Sequence, residues 1–148
     1  MRVQDVIKTK GSEVITVFED ASVMDAVRIM QTNQIGALVV LAQNGRFKGI
    51  MSEREVVSAL AHGGTKALER RVRDLALVGG PVVAPGDSVA VAAKIMTERR
   101  ARHLPVVLGS SVIGLISIGD AVKARLFEKI AENAILQDMV RFTRSATA

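Results

Sequence analysis

Apolar and polar positions along the chain fall into one order of elements that occurs twice. A short β-branched run, Val14-Ile-Thr-Val17, comes first, and Pro81-Val-Val83 is its later equivalent. Next, apolar side chains recur at helical spacing at Val23, Ala26, Val27 and Met30. Ser22 stands just before them, with the short oxygen-bearing side chain that accepts from the free amides of a helix start; Ser88 stands in the same place later. Two strands follow, Ala37–Ala42 and Phe47–Ser52, joined through Asn44-Gly45, a tight-turn signal. Their later equivalents are Leu104–Leu108 and Val112–Ile116, with Gly109-Ser-Ser111 as the turn. A helix is expected to begin near Glu53 and another near Ile118. Each copy therefore reads β-α-β-β-α.

The copies also agree residue by residue. Ser22-Val23, Ala26 and Ile29-Met30 recur 66 positions later as Ser88-Val89, Ala92 and Ile95-Met96. Leu38 and Val40 return as Leu104 and Val106, and after a one-residue deletion Gly49 and Ser52 return as Gly114 and Ser117. The approaches match as well, Val3-Gln-Asp5 with Val72-Arg-Asp74. Two copies are too few for a solenoid, so a pseudo-symmetric pair with clefts where the copies meet is expected. The predicted organisation is a first repeat over residues 1–62, a linker over 63–71 and a second repeat over 72–136. The last helix is expected to bury Phe127, Ile130, Ala134 and Leu136, and the end of the chain, within 137–148, is expected to fray from about Thr143.

Composition narrows the chemistry. With 148 residues, 49% of them hydrophobic, the chain can bury a core. It has no cysteine, which excludes disulfides and thiolate chemistry, and its two histidines lie in different repeats, so no metal site is expected. The longest apolar stretch, Ile35 to Ala42, is far short of the ~18 residues of a membrane span, and no signal peptide is evident. A cytoplasmic location is expected. The net charge of +5 points to an anionic partner. Four Phe and no Trp or Tyr disfavour a stacking platform for nucleic acid. No Walker or Rossmann glycine pattern occurs.

The candidate chemistry lies at Gly114-x-x-Ser117-x-x-Asp120, where a strand runs into a helix. Free amides and the positive end of the helix dipole favour a phosphate there. Ser117 can donate to a phosphate or ribose oxygen, Asp120 can accept from vicinal ribose hydroxyls, and Gly114 permits close approach. The same Ser-x-x-acid pattern is also a capping box that needs no ligand. In the first copy, Ser52-Glu-Arg54-Glu55 has the longer acid, which fits a plain capping box better, while Arg54 can supply charge to a phosphate. Arg99, Arg100, Arg102 and His103 form the densest basic cluster; the first-copy counterparts of Arg102 and His103 are Gly36 and Ala37. The two sites are therefore expected to be unequal. Ser117, His103 and Asp120 include the residue types of a hydrolase, but Ser117 and Asp120 share one helical turn and leave no separate acid to orient the histidine.

Two β-α-β-β-α copies, each ending Gly-apolar-apolar-Ser-x-x-acid, resemble a pair of cystathionine-β-synthase (CBS) domains. Thr97-Glu-Arg-Arg-Ala-Arg-His-Leu-Pro-Val106 followed by Gly114-Leu-Ile-Ser-Ile-Gly-Asp120 is similar to small stand-alone bacterial CBS-pair proteins, and the likeness covers residues 3–126. The resemblance implies an α/β (α+β) fold with the repeats packed through their sheets and the helices outside. It also implies a non-enzymatic Bateman module, a regulatory sensor that binds an adenosine ligand between its repeats. Asp120 and Ser117 would then hold ribose and phosphate, and Arg102 and His103 would reach phosphates. Thr16, Val17, Val82, Val83, Leu38 and Leu104 would enclose the base. AMP, ADP, ATP or NAD(H) are the implied ligands, with S-adenosylmethionine disfavoured by the basic cluster. The implied assembly is a homodimer serving an unidentified downstream protein, and the alternative reading is a ligand-independent interaction module.

Overall fold

The computed structural model describes residues 1–11 and 13–147; Ser12 and Ala148, the last residue of the expected frayed end, lie outside it. The first repeat has β1 (Thr16–Phe18), α2 (Val23–Asn33), β2 (Ala37–Leu41), β3 (Phe47–Ser52) and α3 (Glu53–Gly63), preceded by α1 (Val3–Lys10). A 3-10 turn at Gly64–Glu69, α4 (Val72–Leu75) and β4 (Leu77–Val78) lead into the second repeat. That repeat has α5 (Val89–Arg99), β5 (His103–Leu108), β6 (Ser111–Ser117) and α6 (Ile118–Thr147).

Local chemistry accounts for most of these boundaries. Ser22 Oγ accepts from the Asp25 amide and Ser88 Oγ from the Val91 amide, both at 3.1 Å, so each capping serine satisfies a donor that its helix cannot. Both helices end on a left-handed residue, Gln34 or Arg100. Gly45 supplies the positive φ of the turn between β2 and β3. In the second repeat the first strand shrinks to a single parallel bridge, Val83 to Val106, where the sequence suggested a run from Pro81. Pro81 has no amide to continue a ladder.

β1 and β2 pair in parallel, and β2–β3 and β3–β4 are antiparallel, making a four-stranded sheet; β5 and β6 form the second sheet. Along β2 the alternation of the strand buries both faces. Leu38 and Val40 join the core beneath α2 and α3, while Ala37 and Val39, also buried, face the other way. Leu104 and Val106 of β5 likewise turn into the second core, and Pro105 shares a small cavity with Phe47 and Ile50 of β3. The repeats thus meet sheet to sheet with the helices outside, as the fold class expected.

The approach segments are exchanged between the repeats. Val3, Val6 and Ile7 of α1 pack into the second core, with Val83, Met96, Leu104 and Ile116. Val72 and Leu75 of α4 pack into the first core, with Met30, Leu38 and Met51. Backbone bonds fasten each exchange: the Val3 amide donates to Asp87 O and the Val89 amide to Met1 O, just as Val72 donates to Ala21 O and Val23 to Arg70 O.

The last helix differs from expectation in two ways. It continues without interruption to Thr147, where fraying was expected from Thr143. Its core-facing residues are Ala121 and Ala124, whereas Phe127, Ile130 and Leu136, expected to be buried, are each more than half exposed. After Glu128, which pairs with the Met1 ammonium at 3.0 Å at the end of the third turn, the helix leaves the body of the second repeat, so apolar character there finds no core to enter.

Candidate functional site

The sheet-to-sheet contact leaves a cleft of ≈ 290 Å³ on the side where α1 ends. Its charged and polar lining comes from Lys10, His103, Ser117, Gln34 and the exposed Glu13, and its apolar lining from Val14, Ile15 and Ile35 among others. The pseudo-symmetric position on the other side, between Ile50, Gly80, Ala101 and His103, encloses only ≈ 50 Å³. The two clefts are physically unequal.

Ser117 starts α6 as a cap. Its Oγ accepts from the Asp120 amide at 3.1 Å, and Asp120 Oδ2 accepts from the Ser117 amide at 2.9 Å. The cap reading of this motif is therefore realised in the chain. Asp120 Oδ2 also accepts from Lys10 Nζ at 2.6 Å, and the same ammonium donates to Leu115 O at 2.9 Å. Burial by itself would push the Asp120 carboxyl up; the Lys10 hydrogen bond, the Ser117 amide and the Lys10 charge outweigh it and hold the group below its ordinary range. Asp120 is not on the wall of the 290 Å³ cleft. It lines a neighbouring cavity of ≈ 240 Å³ between α1 and α6, with Lys10 common to both.

Lys10 was not among the residues singled out from the sequence. It sits 110 positions before Asp120, and only the exchange of α1 into the second repeat brings the two together. A cation in the last turn of a helix has an ordinary explanation in the helix dipole, so nothing local set it apart.

His103 opens β5 at the centre of the contact and lines both clefts, as well as a wider opening of ≈ 790 Å³ against Met30, Gln34 and Glu53 of the first repeat. Burial, and then the charge of Lys10, lower its pKa from the ordinary 6.5; Glu53, Asp120 and Glu55 oppose the shift without reversing it. Arg102 is exposed and turns its carbonyl to the Ile118 amide at 2.8 Å, tying β5 to the start of α6.

The remaining expected residues lie elsewhere. Val17, Val83, Leu38 and Leu104 are buried in the two cores and so do not present a slot to the cleft, because alternation along their strands turns them under the helices. Thr16 and Val82 are exposed. The apolar wall of the cleft begins two residues earlier, at Val14 and Ile15. Gly114 does permit a close approach, but of the protein itself. A Cβ there would stand 2.6 Å from Ile7 Cδ1 of α1. Its counterpart Gly49 makes room for the backbone of β4, where a Cβ would lie 2.0 Å from Leu77 O.

In the first repeat, Ser52 and Glu55 form a closed capping box: the Ser52 amide donates to Glu55 Oε2 at 2.6 Å, and Ser52 Oγ donates to the same oxygen. Arg54 donates to Arg100 O at 3.1 Å, capping the end of α5 across the repeat boundary. Arg54 and Glu55 line an open pocket with His62, Arg70 and Asp74, the first-repeat equivalent of the Asp120 cavity. Among the described residues, no group of acids and histidines is placed to hold a metal ion, and no helix is long and apolar enough to cross a membrane.

The model of the CBS domain matches the chain twice, over residues 3–62 and 72–126. A mitochondrial CBS domain-containing protein of Arabidopsis thaliana, CBSX3, is 32% identical over 147 residues, covering 91% of this chain and 71% of the relative. The crystal structure of a CBS-domain protein from Agrobacterium tumefaciens superposes with a TM-score of 0.81 at 35% identity, covering 84% of this chain and 92% of that one. A CBS domain protein of Pyrobaculum aerophilum, solved in complex with AMP, shares the fold with a TM-score of 0.73 at 24% identity, covering 81% and 89% of the two chains. Proteins built on such pairs are in general regulatory modules that take adenosine ligands. The two exchanged repeats, their matched glycine-to-acid motifs and these likenesses agree: the chain belongs to the CBS domain family.

Proposed function

We propose that this chain is a non-enzymatic regulatory module that binds an adenine nucleotide in the ≈ 290 Å³ cleft between its repeats, on the side where α1 ends, and works as a homodimer. One observation carries the reading: the cleft of ≈ 290 Å³ joins an apolar wall at Val14, Ile15 and Ile35 to a basic edge at Lys10 and His103. An aliphatic wall suits an adenine ring, and an ammonium beside a helix start suits a phosphate. The Pyrobaculum protein, solved with AMP, lends support at the level of the fold. AMP, ADP, ATP and NAD(H) all carry the required adenosine and phosphate, whereas S-adenosylmethionine has no phosphate and adds a sulfonium and an ammonium cation beside its carboxylate. Asp120 is assigned the ribose, Ser117 and His103 the phosphate side; Arg102, exposed at the strand entry, is assigned a long-range contribution to the field. The small cleft on the other side is assigned no nucleotide.

The test exploits the absence of Trp and Tyr. Purified protein absorbs little at 280 nm, so a bound adenine stands out near 260 nm, and mass spectrometry of the denatured supernatant names it. Titration with AMP, ADP, ATP and NAD(H) by calorimetry covers the case of weak binding. Heat from none of the four would overturn the reading in favour of the second one. That second reading, an interaction module that needs no ligand, is favoured by the exposed apolar residues of α6, among them Leu126, Ile130, Leu136, Met139 and Phe142.

A further inference from the structure

Lys10 stands between the interrepeat cleft and the carboxylate to which the ribose is assigned. It lines the cleft and the cavity behind it, while Asp120 lines only the latter. Both recorded hydrogen bonds to the Asp120 carboxylate fall on Oδ2, one from the Ser117 amide and one from Lys10 Nζ. A vicinal diol that approaches Asp120 from the cleft and engages both carboxylate oxygens therefore meets an ammonium already bonded to one of the two acceptors it needs. Displacing that ammonium leaves a half-exposed cation that has lost its carboxylate and the Leu115 carbonyl together.

We propose that Lys10 is the specificity-determining residue of the cleft, making it select phosphorylated adenosines over adenosine itself. This role of Lys10 rests on the nucleotide reading and deepens it. A ligand with a phosphate gives the displaced ammonium a new anionic partner in the same cleft. The four-carbon stem lets the charge swing from carboxylate to phosphate while α1 stays packed through Val6 and Ile7. A ligand without a phosphate brings no new anion and leaves the ammonium only the exposed Glu13 on the same wall, so the cost of freeing Asp120 is not fully recovered. Discrimination thus arises from the cost of breaking an existing pair as much as from the new contact. His103 lies on the same wall and adds a charge only when protonated, so at neutral pH the fixed cation is Lys10.

The experiment compares adenosine and AMP by calorimetry on the wild type, Lys10→Met and Lys10→Arg. The wild type is expected to prefer AMP. Lys10→Met is expected to cut that preference roughly 10- to 100-fold, the worth of one charged hydrogen bond. The loss should fall on AMP, while adenosine binds at least as tightly as before because Asp120 is freed. Lys10→Arg should restore the preference, and Lys10→Gln, close in length but uncharged, should behave like Lys10→Met. An equal loss for both ligands overturns the assignment and makes Lys10 a purely structural strut. An unchanged ratio overturns it too. If the wild type binds none of adenosine, AMP, ADP, ATP and NAD(H), the nucleotide reading itself is overturned, and the role of Lys10 goes with it.

Discussion

At the scale of single residues, the two acids of the matched motifs have different work. Asp120 is held below its ordinary pKa chiefly against the cost of burial, by a lysine that lines the cleft. Glu55 closes a capping box with Ser52 and meets no such cation in its recorded hydrogen bonds. Asp120→Ala is therefore expected to weaken AMP binding about 10-fold or more. Glu55→Ala should cost about 1 kcal/mol of stability and leave affinity nearly unchanged. Calorimetry with parallel urea unfolding separates the two effects, and equal affinity losses would contradict the assignment. His103 yields a second prediction. Its folded pKa is depressed, so the unfolded chain takes up its proton first, and stability falls as pH drops below the ordinary 6.5. A phosphate in the cleft reverses the balance by favouring the imidazolium. AMP affinity should rise as pH falls below about 6.5, with net proton uptake on binding, and His103→Gln should abolish both. Measured heats in buffers of different ionisation enthalpy report the uptake; an absent or opposite buffer dependence would remove His103 from the phosphate side.

At the scale of elements, the matched glycines are the best probes of the exchange. A methyl at Gly49 runs into the backbone carbonyl of Leu77, which cannot yield without moving β4. A methyl at Gly114 meets the tip of Ile7, and a side chain can rotate away. Gly49→Ala should therefore lower stability by about 1–3 kcal/mol or more and Gly114→Ala by clearly less, read from urea midpoints. The same comparison shows what was legible in the sequence. Ser22 and Ser88 announced their helices because a cap is a local bond within three residues. The strand order and the cleft followed from the repeat. The exchange of α1 and α4 did not, since Val3-Gln-Asp5 matches Val72-Arg-Asp74 whichever repeat each serves. For that reason Lys10 stayed hidden and Gly114 was assigned to a ligand. The base slot at Val17 and Leu38 is implied only by the family resemblance, and the strand pattern alone does not say which face of a strand meets the partner sheet. Leu136 was expected in a core that the helix has by then left.

At the scale of the molecule, α6 poses the largest unpaired demand. From Arg125 to Thr147 it places no residue in either core. Ile118, Val122, Leu126 and Ile130 follow one another at four-residue spacing and are 45%, 62%, 58% and 56% exposed. Such a ridge packs into the groove of a like helix, and a two-fold axis is the simplest way to cover it once on each chain. Val57 on α3, the first-repeat counterpart of Val122, is equally bare; a stable dimer buries ~1,200–2,000 Å² in all. Light scattering should therefore give the mass of two chains. The double variant Leu126→Lys, Ile130→Lys should give one, because two cations on each ridge would face their own copies across the axis. Every residue assigned to the nucleotide belongs to a single chain, with Lys10, Ile15, His103 and Ser117 around one cleft. Affinity for AMP should thus survive in the monomeric variant within a few-fold, a size of change that leaves little coupling between site and assembly. A larger drop would mean that the dimer arrangement holds the cleft in shape, and ligand binding would then drive association by the same factor. A variant that remains dimeric would move the interface off this ridge and leave α6 for another protein.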